Sequence, residues 1–291
     1  MGGRGKIETE VWTAGLLLAP ALALLGLFVF WPILYLLGLS FTQGSFTRAG
    51  VEWTGLQNYL RLVLDPDVVQ VLGNTVYFTG ATVVPSVVIA LGLAVLLNRT
   101  VALRGLLRAA YFIPAVTSLV AVGLGFRWLF QTDGPVNSLL GFLGGEPIPW
   151  LGSTLWAMPV LIGLSIWKQL GFNLVVFLAG LQTIPRNRYE AAALDGAGPW
   201  AQFWHITLPG LRPTLVFAVV TTAIFTLRGF EPVYVITGGG PLNSTNILVH
   251  YIYQQAFGQF DFGYAAAAAI ALMAVVGGLV YLQLRFWDQP S

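Results

Sequence analysis

Residues 69–97 read VQVLGNTVYFTGATVVPSVVIALGLAVLL, a run of 29 residues without a single charged side chain. About 20 predominantly apolar residues, coiled as a helix, cross the hydrocarbon core of a bilayer, and backbone polar groups there must be satisfied within the segment itself. This stretch therefore predicts a membrane-spanning helix. Comparable runs lie on either side of it, at Val11–Leu39, Leu106–Phe130, Thr154–Leu181, Pro213–Ile236 and Phe262–Phe286. The expected fold is an all-α integral membrane protein with about six transmembrane helices. Composition agrees: 56% of the 291 residues are hydrophobic and 9% are charged, against about 25% charged in a soluble domain.

Pro20, Pro32, Pro85, Pro114 and Pro159 fall inside these runs. They predict kinks, because neighbouring helices can re-satisfy the backbone groups that a proline frees. The alanines Ala265–Ala269 offer a small-residue face for close helix packing. Arg4 and Lys6 before the first run resemble a signal peptide, but that run far exceeds the ~7–15 residues of a signal core. It is expected to be an uncleaved first helix, so residues 1–10 are a tail and 11–287 one transmembrane domain.

Basic residues set the orientation, since short cytoplasmic loops carry the excess of Lys and Arg. With the N-terminus inside, nine basic residues fall on cytoplasmic segments: Arg4, Lys6, Arg99, Arg104, Arg108, Arg186, Arg188, Arg212 and Arg285. Only Arg48 and Arg61 fall outside. Both termini are expected in the cytoplasm, with residues 182–212 between helices 4 and 5 forming a cytoplasmic loop. The net charge of +2, with its basic residues scattered, argues against nucleic acid as a partner.

What drives such a chain follows from what it lacks. Neither Lys6 nor Lys168 lies in a Gly-x-x-x-x-Gly-Lys-Ser/Thr setting, so no P-loop is present. No Asp or Glu occurs between Glu10 and Glu52, Asp67 and Asp133, or Glu146 and Glu190. Ion-driven carriers keep ionisable groups within the bilayer for function, so a secondary carrier is disfavoured. There is no cysteine, and the two histidines, His205 and His250, fall on opposite sides. No catalytic residues and no metal site are expected, and energy must come from another subunit.

The 182–212 loop is where that energy would enter. Pro185 breaks the preceding helix, and Tyr189–Leu194 reads as a short alanine-rich helix stopped by Gly196 and Gly198. A second short helix over Trp200–Ile206 should end at Pro209, with Trp200, Phe203 and Trp204 as anchors. The pattern Glu190-Ala191-Ala192-x-x-x-Gly196, then nine residues, then Ile206-x-Leu208-Pro209, resembles the EAA loop of permease subunits of binding-protein-dependent ABC importers. In that family the loop is a coupling helix that docks on the ATPase. The resemblance implies that Glu190, Ala191, Ala192, Asp195, Gly196, Ile206, Leu208 and Pro209 form the coupling element. It extends through Ile166–Asn173 and Thr237–Thr245 to the maltose- and glycerol-phosphate-type carbohydrate permeases, over about Trp53–Phe286, but without the large external insertion of some maltose-type members.

This resemblance implies an assembly in the bacterial cytoplasmic membrane: a second related permease, an ATPase dimer, an extracytoplasmic solute-binding protein and a carbohydrate-like solute. No cofactor is expected on this chain, and ATP with Mg belongs to the partner ATPase. Trp167, Lys168, Gln169 and Asn173 are candidate solute-path residues, because an aromatic face and amides suit a sugar. Lys168 is equally readable as a structural plug bonded to helix carbonyls. Gly238, Gly239, Gly240 and Pro241 form either a plain tight turn or a contact for the binding protein. Arg228 and Glu231, three residues apart, are positioned to pair on one helical turn.

Overall fold

The computed structural model describes residues 15–45, 48–98, 111 and 113–287. The proposed tail, Arg99, Arg104 and Arg108 lie outside the described residues, as does the beginning of the third predicted span. Among the described residues four helices are long and apolar enough to cross a membrane: α1 (Gly15–Leu39), α3 (Pro66–Asn98), α6 (Ala157–Thr183) and a C-terminal helix beginning at Phe262. A fifth span results if Pro199–Gly210 and Arg212–Leu227, bent by 67° at their junction, are taken as one.

The described residues sort into two compact units. The first comprises residues up to Leu64 together with 252–271. In it α1 leads into a feature absent from the all-helical expectation, an antiparallel hairpin of β1 (Thr42–Ser45) and β2 (Arg48–Trp53). Helix α2 (Gln57–Leu64) follows. Asn58 on α2 donates to the carbonyls of Ser40 and Thr42 at 2.9 and 2.8 Å, which fixes the hairpin base. Arg61 pairs with Asp261 at 2.6 Å and lies 4.1 Å above the ring of Tyr264. Gly263 is held so closely that an added Cβ would sit 1.9 Å from the carbonyl oxygen of Thr42.

The second unit spans 65–251 and 272–291 and is built on the pairing of α3 with α6, with α9 (Arg212–Leu227) packed against both. On α3, Val83, Val87, Ala90, Ala94 and Leu97 are buried at alternating spacings of four and three. They meet Leu174, Phe177, Leu178 and Leu181 of α6 and Ala218 of α9. Alternating spacings of four and three put the α3 residues on one face, as in a heptad seam. Buried hydroxyls on these helices satisfy themselves locally: Ser86 donates to Thr82 O at 2.7 Å and Ser165 to Leu161 O at 2.8 Å. A second apolar cluster joins Phe78, Met158, Leu161 and Leu164 to Val233, Ile236 and Ile247.

The third expected span, Leu106–Phe130, is not one continuous helix where it is described. Helical residues 113–116 stop at Thr117, Ser118 turns extended (ψ 124°), and α4 (Leu119–Leu129) starts afresh. Short helices α5 (Pro135–Phe142) and α7 (Arg186–Leu194) complete the part that positions the candidate site, with α8 (Pro199–Gly210) leading into α9.

Pro209 does not end α8 as expected. The turn over Phe203–Thr207 widens, so that Leu208 N–H bonds back to Phe203 O. Widening relieves the clash between a proline ring and the carbonyl four residues earlier. The same device, over Gly26–Phe30, precedes Pro32 in α1.

Candidate functional site

The 182–212 loop is a two-helix knob with one end buried and the other free. Helix α7 closes with a glycine cap. Gly196 N–H bonds to Ala193 O at 3.1 Å and Ala197 N–H to Ala192 O at 2.8 Å, while Gly196 takes φ +80°. That left-handed residue at the helix exit is the signature of a Schellman cap. It also explains why glycine stands there: no atom lies within 4 Å of an added Cβ, so backbone conformation, not crowding, selects it. The chain then reverses, and Gln202 Nε2 donates to Ala197 O at 2.9 Å.

The knob is tied to the helix bundle from beneath. Tyr189 and Thr207 share a hydroxyl hydrogen bond of 3.0 Å. Tyr189, Phe203, Ile206 and Leu208 pack on the cluster that contains Leu181, Ile184 and Leu211. Of the three expected aromatic anchors only Phe203 takes that role. Trp200 is 72% exposed and Trp204 49%, because the helical spacing turns both away from the core. Glu190, Ala191, Asp195 and Gly196 are exposed, and Leu194 at 90% is almost wholly so. The two halves of the motif meet in a cleft of about 680 Å³, lined by Ala191 and Ala192 of α7, by Asp195 at its end, and by Ile206 and Pro209 of α8. Arg188 and His205 border the same cleft. Tyr189→Phe is expected to lower unfolding stability by about 1 kcal/mol through loss of its hydroxyl bond. Thermal unfolding of the purified chain reads this directly, and an unchanged midpoint would contradict the tie.

Helix α6 joins this knob to a cavity. Its residues 174–181 belong to the cluster under the knob, 158–164 belong to the second cluster, and the intervening turns face a cavity of about 500 Å³. Lys168 and Gln169 line it, with Phe78, Phe172 and Phe225 as aromatic walls. Lys168 Nζ donates to the carbonyl of Thr117, the residue that ends the helical segment before Ser118. The break in the third span leaves that carbonyl without a helical partner, and the ammonium supplies one. Gln169 Nε2 donates to Thr226 Oγ1 at 2.9 Å, and its Oε1 has no partner among the described residues. The other two candidates lie elsewhere. Asn173 is fully buried, accepting from Thr222 at 3.1 Å, and Trp167 packs with its ring tilted 39° to that of Phe126, centroids 6.0 Å apart, against the second cluster.

Arg228 and Glu231 both line the cavity but do not form the expected ion pair. Helix α9 ends at Leu227 and Gly229 (ψ 71°) breaks the chain direction, so the two are not on one helical turn.

The 237–247 segment is a folded turn. Gly238, Gly239, Leu242 and Asn243 all take positive φ. Thr245 Oγ1 bonds Gly240 O at 2.7 Å, and Asn74 of α3 donates to the carbonyls of Asn243 and Asn246 at 2.7 and 3.0 Å. Gly238 is exposed and Gly239 buried, where a Cβ would meet the ring of His250 at 2.9 Å. Gly240 and Pro241 are half-buried beside Leu242, which is 86% exposed at the tip. Asn74 was not legible as a support because it lies 169 residues from Asn243, and His250, though near in sequence, carries no motif.

His250, stacked 5.9 Å from Phe230 and bonded through Nδ1 to Asn246 Oδ1 at 2.9 Å, has its pKa lowered by burial. A depressed histidine pKa means the unfolded chain takes up the proton first. Stability is therefore expected to fall as pH drops below about 6.5. A thermal midpoint that does not decline in that range, or declines equally in His250→Gln, would contradict this.

Comparison with known proteins agrees with the site. Residues 83–289 match the family model described as binding-protein-dependent transport system inner membrane component. The sulfoquinovosyl glycerol transport system permease protein SmoG of Agrobacterium fabrum is 40% identical over 274 residues, covering 94% of this chain and 89% of that protein. The lactose transport system permease protein LacF of Rhizobium radiobacter is also 40% identical, over 92% of this chain and 91% of that one. The arabinooligosaccharides transport system permease protein AraP of Bacillus subtilis is 36% identical over 86% and 80%. A chain from the crystal structure of a bacterial alginate ABC transporter in complex with an alginate pentasaccharide-bound periplasmic protein superposes with a TM-score of 0.81. At 24% identity it covers 96% of this chain and 94% of that one and establishes likeness of fold. The chain is thus a multi-pass membrane protein that belongs to the family of inner membrane components of binding-protein-dependent transport systems.

Proposed function

We propose that the chain is one permease subunit of an ATP-driven importer for a carbohydrate or related solute. In this reading six spans, including the broken third and the bent fifth, leave both termini and the 182–212 knob in the cytoplasm, within one transmembrane domain. A second, related permease forms the other half of the path, and an ATPase dimer holds ATP and Mg. The chain itself performs no covalent chemistry. The carbohydrate class is supported by relatives whose names specify sulfoquinovosyl glycerol, lactose and arabinooligosaccharides.

The observation that carries the proposal is the knob. Five of its motif residues, Ala191, Ala192, Asp195, Ile206 and Pro209, line one cleft, while its base packs into the cluster that includes α6. The cleft around Glu190–Gly196 would receive the ATPase, and closure of the ATP-bound dimer would push on it. Because the base is buried against α6, the push is delivered to a rod that also walls the cavity. From Ile184 to Lys168 the distance along that helix is about 24 Å, at ~1.5 Å per residue. The folded 237–247 turn, with Gly238 and Leu242 exposed, is the candidate contact for the solute-binding protein.

Mild-detergent capture of the tagged chain from its own membrane, read by mass spectrometry, tests this. The expected result is co-recovery of a P-loop ATPase and a second similar permease. Recovery of the chain alone, under conditions that keep a known ABC complex intact, would overturn it.

A further inference from the structure

The relatives' solutes differ in charge character, from lactose to the acidic polysaccharide of the fold neighbour, so family membership leaves open what the cavity prefers. Its lining is more specific. Two cationic groups, Lys168 and Arg228, face it with a single carboxylate, Glu231. Lys168 donates to a neutral partner, the Thr117 carbonyl, which fixes the ammonium without neutralising it. Arg228 is exposed at the end of α9 and, among the described residues, makes no ion pair. Glu231 is not paired with it. The cavity thus carries a net positive charge beside aromatic walls, and an oppositely charged group that enters it is attracted. Beside the cations, Gln169 offers an amide that suits hydroxyl groups.

From this excess, and resting on the importer reading above, we propose that the cavity takes a hydroxylated solute bearing an oxyanion: carboxylate, sulfonate or phosphate. Lys168 and Arg228 attract the anionic group and Glu231 opposes it. A neutral glycoside of the same size would keep the hydroxyl contacts and lose the charge term.

The test uses the full chain with whatever subunits travel with it, in phosphatidylcholine nanodiscs. Equilibrium dialysis would compare two labelled probes of matched size, methyl glucoside and methyl glucuronide. The glucuronide is expected to bind tighter by roughly tenfold or more, the scale of a hydrogen bond to a charged group, with the advantage shrinking as salt rises. Lys168→Gln and Arg228→Gln should each reduce that advantage, whereas Glu231→Gln should increase it. Arg228 and Glu231 are exposed, so their variants remain informative if the Lys168 variant does not fold. Equal binding of the two probes would overturn the proposal, as would an advantage that survives the Arg228 change. Binding of neither probe would do the same, leaving the importer reading to the capture experiment. Loss of the preference in phosphatidylglycerol discs would assign the site to a lipid headgroup and also overturn it.

Discussion

Gly196→Asp is expected to abolish uptake of the transported solute while leaving the chain in the membrane. Gly196 is the left-handed residue of the cap that closes α7, at φ +80° with two backbone bonds converging on Ala192 and Ala193. A residue with a Cβ there costs about 1–2 kcal/mol. That penalty is too small to unfold a packed bundle, yet comparable to the marginal stability of a nine-residue exposed helix. The added carboxylate would also stand in the exposed reversal proposed to enter the ATPase. Gly196→Asn isolates the charge, because asparagine and aspartate tolerate the left-handed region alike and only aspartate adds a carboxylate. It should retain a substantial share of uptake. Wild-type uptake by the aspartate variant, at equal abundance in the membrane, would remove Gly196 from the coupling element.

The second large effect is expected at Gly180, where α6 is packed tightly against the start of α9. A Cβ at that position would lie 2.5 Å from Thr214 Oγ1 and 2.9 Å from Leu211 Cδ2, and Leu211 is fully buried. Gly180→Val must push the two helices apart or force both neighbours off their rotamers, and overpacking of this kind costs about 1–3 kcal/mol. Thermal midpoint and uptake should both fall. Gly163→Val provides the comparison, since nothing lies within 4 Å of a Cβ there, on the same helix. Equal behaviour of the two variants would show that the close approach does not matter for transmission from the knob.

Much of this protein was determined by residue order alone. The spans at 69–97 and 154–181 recur as α3 and α6, because apolar runs of that length with at most one charged side chain have few alternatives in a bilayer. The knob was likewise legible, since alanine content, Pro185 and Gly196 act within a few residues of one another. Tertiary structure decided what depends on distant partners. It set the break at Thr117–Ser118 and the Lys168 ammonium that satisfies it, 51 residues away. It turned Trp200 and Trp204 outward while packing Phe203 inward, and it kept Arg228 and Glu231 off one helical turn by ending α9 at Leu227 and breaking the chain direction at Gly229. It also brought Lys168 and Gln169 to one cavity while sending Trp167 and Asn173 into packing. Local propensity and hydropathy act over one or two turns of chain. Which face of a helix meets another, and which buried polar group finds a partner, is decided only when the helices pack.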